Sequence, residues 1–197
     1  SLDDRKALLR ACSLPFDGMN DHGLVVGMAA VPAGDVQPDP DKVTVDSLMA
    51  MRLILDQAAS IDEAVAILQQ YNINWGGGPP LHYLIADRSG TAALVEFYQG
   101  SVHVIPSDKT WHLATNFLVT SVAGGVSGQC YRYDKASQTL AASAGSLNAR
   151  DAMSLLADVS QQNTQWSVVY GMSTGDVSIT MGRKYGHSNA FQLDLAR

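Results

Sequence analysis

Leu24–Val31 (Leu-Val-Val-Gly-Met-Ala-Ala-Val) is an unbroken apolar run of eight residues, and it restricts the possible folds more than any other stretch of the chain. Its length suits a strand and is short for a packed helix. A strand that is apolar on both faces has to be covered on both faces. The run is entered through Phe16-Asp17-Gly18-Met19-Asn20-Asp21-His22-Gly23, where Asp-Gly and His-Gly mark turns that need positive φ. A buried strand at this point implies a layered fold in which sheet is covered by helix or by a second sheet.

The rest of the chain supplies such layers. A short helix is expected over Leu2–Ala11, ended by Pro15. Pro32–Lys42 reads as a loop. Thr44–Ala58 repeats Leu48, Met51 and Leu55 at helical spacing. Ser60-Ile61-Asp62-Glu63 is a capping box, and the helix it opens places Ile61, Ala64, Val65, Leu68 and Tyr71 on one face. Asn72–Pro80 reads as a Gly- and Pro-rich loop. His82–Asp87 and Thr91–Tyr98 form a hairpin about Ser89-Gly90, followed by strands at Ser101–Ile105 and Trp111–Asn116. Tyr131–Ala144 reads as helix. Asn148 caps another helix, with Ala152, Leu155, Leu156 and Val159 as its core face. Trp166–Thr174 and Asp176–Gly182 form a last hairpin, and Phe191–Leu195 a terminal strand. Hairpins segregated from paired helices give an α+β fold in a single domain over 1–197.

Composition excludes several functions. Of the 197 residues, 46% are hydrophobic and 16% charged, which is the balance of a packed protein and not of a disordered one. The net charge is −6 and the 13 Lys and Arg are scattered, so nucleic acid is excluded as a partner. No apolar run reaches the length of a membrane span. The two Cys and five His show no ligand spacing, so neither a metal nor another cofactor is expected. There is no G-x-S-x-G elbow, Walker loop or H-E-x-x-H. Gly76-Gly77-Gly78 lacks the Lys-Ser/Thr of a phosphate loop and reads as a tight connection.

Four motifs in order carry a resemblance. Asp17-Gly18-Met19-Asn20 with the strand after it resembles the D-G-M-N turn and strand of the choloylglycine hydrolase and penicillin V acylase family, and of the related acyl-CoA:6-aminopenicillanic acid acyltransferases. Pro80-Leu81-His82-Tyr83-Leu84-Ile85-Ala86-Asp87 is similar to that family's P-L-H-x-x-I-x-D strand. Leu113-Ala114-Thr115-Asn116 is similar to its L-T-N strand end, and Tyr131-Arg132-Tyr133 to the R-F/Y start of its later helix. The resemblance implies an N-terminal-nucleophile hydrolase αββα sandwich, with antiparallel sheets covered by helix layers and the N-terminal strands missing. It also implies hydrolysis of a linear amide C–N bond of an N-acylated small molecule, as by bile-salt hydrolases or penicillin acylases.

By the same resemblance Asn116 supplies a side-chain oxyanion donor, the backbone N–H of Ala30 a second donor, and Arg132 a planar fork that orients catalytic groups. Read alone, Asn116 is a turn-capping residue and Arg132 a helix-start arginine that is solvated or ion-paired with Asp134 or another acid. The nucleophile, an N-terminal Cys whose own α-amine serves as base, is expected outside this chain. Ser1 opens a helix and Cys12 has no free α-amine. A sheet without its central strands would expose edges, so a homo-oligomer or pairing with a missing N-terminal segment is expected. The alternatives are an acyltransferase, in which an amine intercepts the thioester, and a non-catalytic acyl-binding or inactive relative.

Overall fold

The computed structural model of the protein describes residues 5, 6, 9 and 13–196. The helix expected over Leu2–Ala11 lies outside the described residues except at Arg5, Lys6 and Leu9, which are helical. The elements run β1 (Asp17–Met19), β2 (Val25–Ala30), β3 (Thr44–Asp46), α1 (Ser47–Gln57), α2 (Ile61–Gln70), β4 (Asn72–Asn74), β5 (Leu81–Ala86), β6 (Ala92–Tyr98) and β7 (Ser101–Pro106). A single 3-10 turn at Val119–Ser121 precedes α3 (Tyr131–Ala142), α4 (Ala149–Asp158), β8 (Trp166–Tyr170), β9 (Asp176–Met181) and β10 (Asn189–Gln192).

Strands β1-β2-β5-β6-β7 form a five-stranded antiparallel sheet, and β10-β9-β8 a three-stranded antiparallel meander. β3 and β4 form a small parallel pair. One face of the large sheet carries Val26, Tyr83, Ile85, Ala93, Val95 and Phe97, all buried against Ala50, Met51 and Ile54 of α1 and Ala64 and Leu68 of α2. Both helices have clean starts. Asp46 accepts from the Leu48 and Met49 amides at 3.0 and 2.8 Å, and Ser60 accepts from the Glu63 amide at 3.3 Å. The buried Tyr83 hydroxyl donates to Ser47 O at 2.8 Å, joining sheet to helix.

On the opposite face of the sheet lies Asp17, which accepts from Trp166 Nε1 (2.6 Å) and the Tyr170 hydroxyl (2.5 Å) of β8. α4 packs on β8 from the far side. The layer order is thus helices, sheet, sheet, helices.

Several expectations are corrected. Asp17-Gly18 is strand, not turn. A Cβ on Gly18 would lie 2.7 Å from Leu55 Cδ1, so the residue is small because α1 is close. The turn belongs to Gly23, with φ of 76°. Thr44–Asp46 and Asn72–Asn74 pair as strands where helix and loop were expected, and the terminal strand falls at Asn189–Gln192. Trp111–Asn116 joins no ladder. In α4 the buried residue is Met153, while Leu155 and Leu156 are half-buried. In β2 only Val26 is fully buried; Met28, Ala29 and Ala30 line an open cavity. The solvent-accessible surface is 11,340 Å² for 21.0 kDa, against roughly 9,000 Å² for a monomer of that mass. The small sheet is open. Thr180 is its single buried strand residue, and β10 is exposed throughout.

Candidate active site

The candidate site begins at the end of β2. Val31 N–H donates to Pro80 O at 2.9 Å, so Val31 turns its backbone groups toward β5. By the alternation of an antiparallel ladder, Ala30 turns its own N–H and C=O to the opposite edge. β1 stops at Asp17, opposite Gly27, so among the described residues no strand pairs that edge at Ala30. The Ala30 carbonyl accepts a hydrogen bond there from Asn116 Nδ2 at 2.7 Å. Asn116 Oδ1 in turn accepts from Arg132 Nη2 at 2.6 Å. The guanidinium can only donate, so it fixes which end of the amide is oxygen. One N–H of the Asn116 amide is held at Ala30 and the other remains available beside the free edge.

Ala30, Asn116 and Arg132, picked from separate parts of the sequence, are therefore brought together in one line. Arg132 turns to Asn116. Asp134, the acid proposed for it from sequence alone, instead accepts from Gly128 N at 3.1 Å. The unit is backed by packing: Phe117 and Tyr133, neighbours of Asn116 and Arg132, meet edge to face at 5.2 Å.

Asn116 and Ala30 open onto a cavity of about 820 Å³. Its walls are largely apolar: Phe16, Met28, Leu48, Trp75, Leu81 and Trp166. The charged residues on its lining are Asp17 and Asp46, both acids. Asp17 is held by β8 and raises the Tyr170 hydroxyl pKa, after burial, which contributes more. Asp46 is occupied as the α1 cap.

Sequence reasoning missed three residues near this site. Asp17 was assigned to a turn. Cys130 sits at the N-cap of α3. Burial alone would push its thiol up, but the Tyr133 and Arg132 amides, the Thr115 hydroxyl and the Arg132 charge outweigh burial and bring it below the ordinary thiol value. A Cys placed just before a helical arginine was the available signal. Glu96, buried in an otherwise apolar strand, is the third. Among the described residues no cluster of three His, Cys, Asp or Glu could hold a metal ion.

The chain is similar in fold to solved amide hydrolases. It superposes on conjugated bile acid hydrolase from Clostridium perfringens in two variants, with TM-scores of 0.66 and 0.69 at 14% identity, covering 91% and 90% of this chain and 72% of each of those. It superposes on penicillin V acylase from Agrobacterium tumefaciens with a TM-score of 0.64 at 20% identity, covering 86% of this chain and 63% of that one. No curated protein matches it by sequence. The family model for acyl-coenzyme A:6-aminopenicillanic acid acyl-transferase matches residues 15–184. With most of its length inside that match, the chain belongs to the acyl-coenzyme A:6-aminopenicillanic acid acyl-transferase family.

Proposed function

We propose that the chain forms the oxyanion-stabilising part of an amidohydrolase that cleaves a linear amide of an N-acylated small molecule. The observation that carries this reading is the Asn116 amide, clamped between Arg132 and the Ala30 carbonyl at an unpaired strand edge. An oxyanion placed between the Ala30 N–H and the second Nδ2–H of Asn116 meets two neutral donors that are already oriented. That is the arrangement that stabilises a tetrahedral intermediate without reorganisation. Arg132 polarises the amide through its oxygen and holds its orientation.

The attacking thiol and its α-amine base lie outside the described residues in this reading. The thiol adds to the amide carbonyl and passes its proton to the α-amine, which titrates near pH ~8. Collapse of the intermediate expels the substrate's amine, which takes that proton, and leaves a thioester. Water then releases the acid. The family match favours a second reading on the same acyl-enzyme, in which an amine takes the place of water.

The cavity points to the substrate's character. Its apolar and aromatic wall suits a hydrophobic acyl group, and its two carboxylates disfavour an anionic leaving group. Hydrogen bonds donated to Asp17 by Trp166 and Tyr170 of β8 support reading residues 1–197 as one domain. The exposed strands of the small sheet support its association with a second copy or with a further segment, which size-exclusion chromatography tests.

The test of function uses the gene product as its host makes it, with an N-acyl p-nitroanilide as substrate. Asn116→Ala is expected to lower kcat by ~10²–10³ with folding intact by circular dichroism. An unchanged kcat removes Asn116 from the site. Adding an amine acceptor and finding the new amide in place of the free acid selects the acyltransferase reading.

A further inference from the structure

A row of side chains crosses the inner face of the large sheet. Ala29 of β2 pairs directly with His82 of β5, and Glu96 of β6 pairs with His103 of β7. Between them, His82 Nδ1 lies 3.2 Å from Glu96 Oε1, and the two side chains are 1% and 0% exposed. An ionised carboxylate this deep is costly unless every lone pair is met. Here the donors come from one direction. Val119 N–H donates to Oε1 at 2.8 Å, and Thr120 N–H and hydroxyl donate to Oε2 at 2.9 and 2.7 Å. These residues follow Asn116 by three and four positions.

That placement matters because the segment carrying Asn116 has no ladder of its own. Upstream it is held by His112 Nε2 against Ile105 O (3.0 Å) and by the Ser107 hydroxyl on Trp111 O (2.7 Å). Downstream it is held by Glu96. Asn116 lies between the two anchors, with Phe117 and Leu118 buried beside it. His82 completes the link. To donate to a carboxylate its Nδ1 must carry a proton, and its Nε2 is buried without a partner, so the ring is held from the Glu96 side alone. The ring is thus a fixed spacer between Glu96 and the stretch of β2 that ends in Ala30.

We propose that Glu96 is a positioning residue of this site: its buried carboxylate, braced by His82, sets the 116–120 segment so that the Asn116 amide stays aligned with the edge of β2. The inference rests on the oxyanion reading of Asn116 given above. A carboxylate accepts at all of its lone pairs, whereas the glutamine amide would turn its NH₂ toward a donor whichever way it sits: Val119 N–H and His82 at one position, Thr120 N–H and hydroxyl at the other. The isosteric change therefore displaces the segment without opening a cavity.

The experiment compares wild type, Glu96→Gln and the milder Thr120→Val, which removes a single donor. One measurement follows the Asn116 side-chain amide by ¹⁵N–¹H NMR, and the other turnover of the N-acyl p-nitroanilide per folded molecule. Displaced Asn116 resonances are expected in both variants. The kcat is expected to fall roughly a hundredfold for Glu96→Gln, with KM little changed, and about threefold to tenfold for Thr120→Val. If Glu96→Gln does not fold, Thr120→Val decides alone. A purely structural role lowers the yield of folded protein and leaves the Asn116 signals and kcat per folded molecule as in wild type; that result overturns the proposal. If the wild type turns over no amide, the amidase reading fails, and the NMR arm still judges the positioning of Asn116.

Discussion

Residues 17–106 and residues 107–196 are built to different standards. The first region closes a core in which Val26, Met51, Ile54, Leu68, Tyr83, Ile85, Val95 and Phe97 are all essentially inaccessible. The second offers Phe117, Leu118, Ala136 and Met153 as buried apolar side chains, and apart from Thr180 its strand residues are half-buried or exposed. Yet the candidate site takes Ala30 from the tight region and Asn116 and Arg132 from the loose one. Packing density alone cannot hold the loose half of the site in place. Directed polar contacts do so, through Asp17 at the sheet-to-sheet seam and Glu96 under the Asn116 segment.

The sharpest way to break this contrast is a pair of truncations. Met51→Ala is expected to cost about 2–5 kcal/mol in urea unfolding, because Met51 is wholly enclosed. Leu156→Ala, at a half-buried position of α4, is expected to cost less than about 1 kcal/mol. Equal costs would erase the distinction between the halves.

Acid is the next probe. Burial would raise the Glu96 pKa, but hydrogen bonds from His82, Thr120 and Val119 hold it below the ordinary glutamate value. A depressed carboxylate stabilises the fold in full above the unfolded value, about pH 4.3. That contribution is lost as pH falls through the folded value. Wild type should therefore lose stability below about pH 4.3 with a component that Glu96→Gln lacks, measured by chemical denaturation across pH. Parallel profiles would show that Glu96 is not coupled to folding.

A smaller effect is expected at the seam. Asp17→Ala leaves the Tyr170 hydroxyl and the Trp166 indole N–H without their acceptor, at about 1 kcal/mol. Amide hydrogen exchange should quicken in β8–β10 and stay unchanged in β5 and β6. Smallest in stability terms is Cys130, whose lowered thiol pKa should make it react with iodoacetamide at pH 7 faster than an ordinary peptide thiol, with little change in unfolding. A slower rate would show that burial outweighs its donors.

Much of the tight half was legible because its physics is local. The periodicity of Leu48, Met51 and Leu55, the Ser60 cap and the turn at Gly90 each act within a few residues. The short strands Thr44–Asp46 and Asn72–Asn74 were not legible, since they pair only with each other across an intervening pair of helices. The alternation of α4 was misjudged because its core face depends on a small sheet that covers little of it. At the site, Asn116 and Arg132 were reachable through motif resemblance, while no local pattern says that they touch. Glu96 reads in sequence as a charge spoiling an apolar strand. Its meaning appears only when Val119 and Thr120 arrive above it.

The hydrogen bonds that Trp166 and Tyr170 donate to Asp17 span 149 and 153 residues of sequence. During synthesis this span becomes a delay. Every strand of the large sheet and both helices that cover it lie before Ser107, so that layer can form while the later residues are still being added. At about 5–20 residues per second, the residues from Ser107 to Trp166 need roughly 3–12 s to be added. Early in that interval the edge of β2 at Ala30 waits for Asn116, and throughout it the inner face of the sheet at Asp17 lacks the cover of β8. The nascent chain is therefore most open to wrong partners where its chemistry will later be.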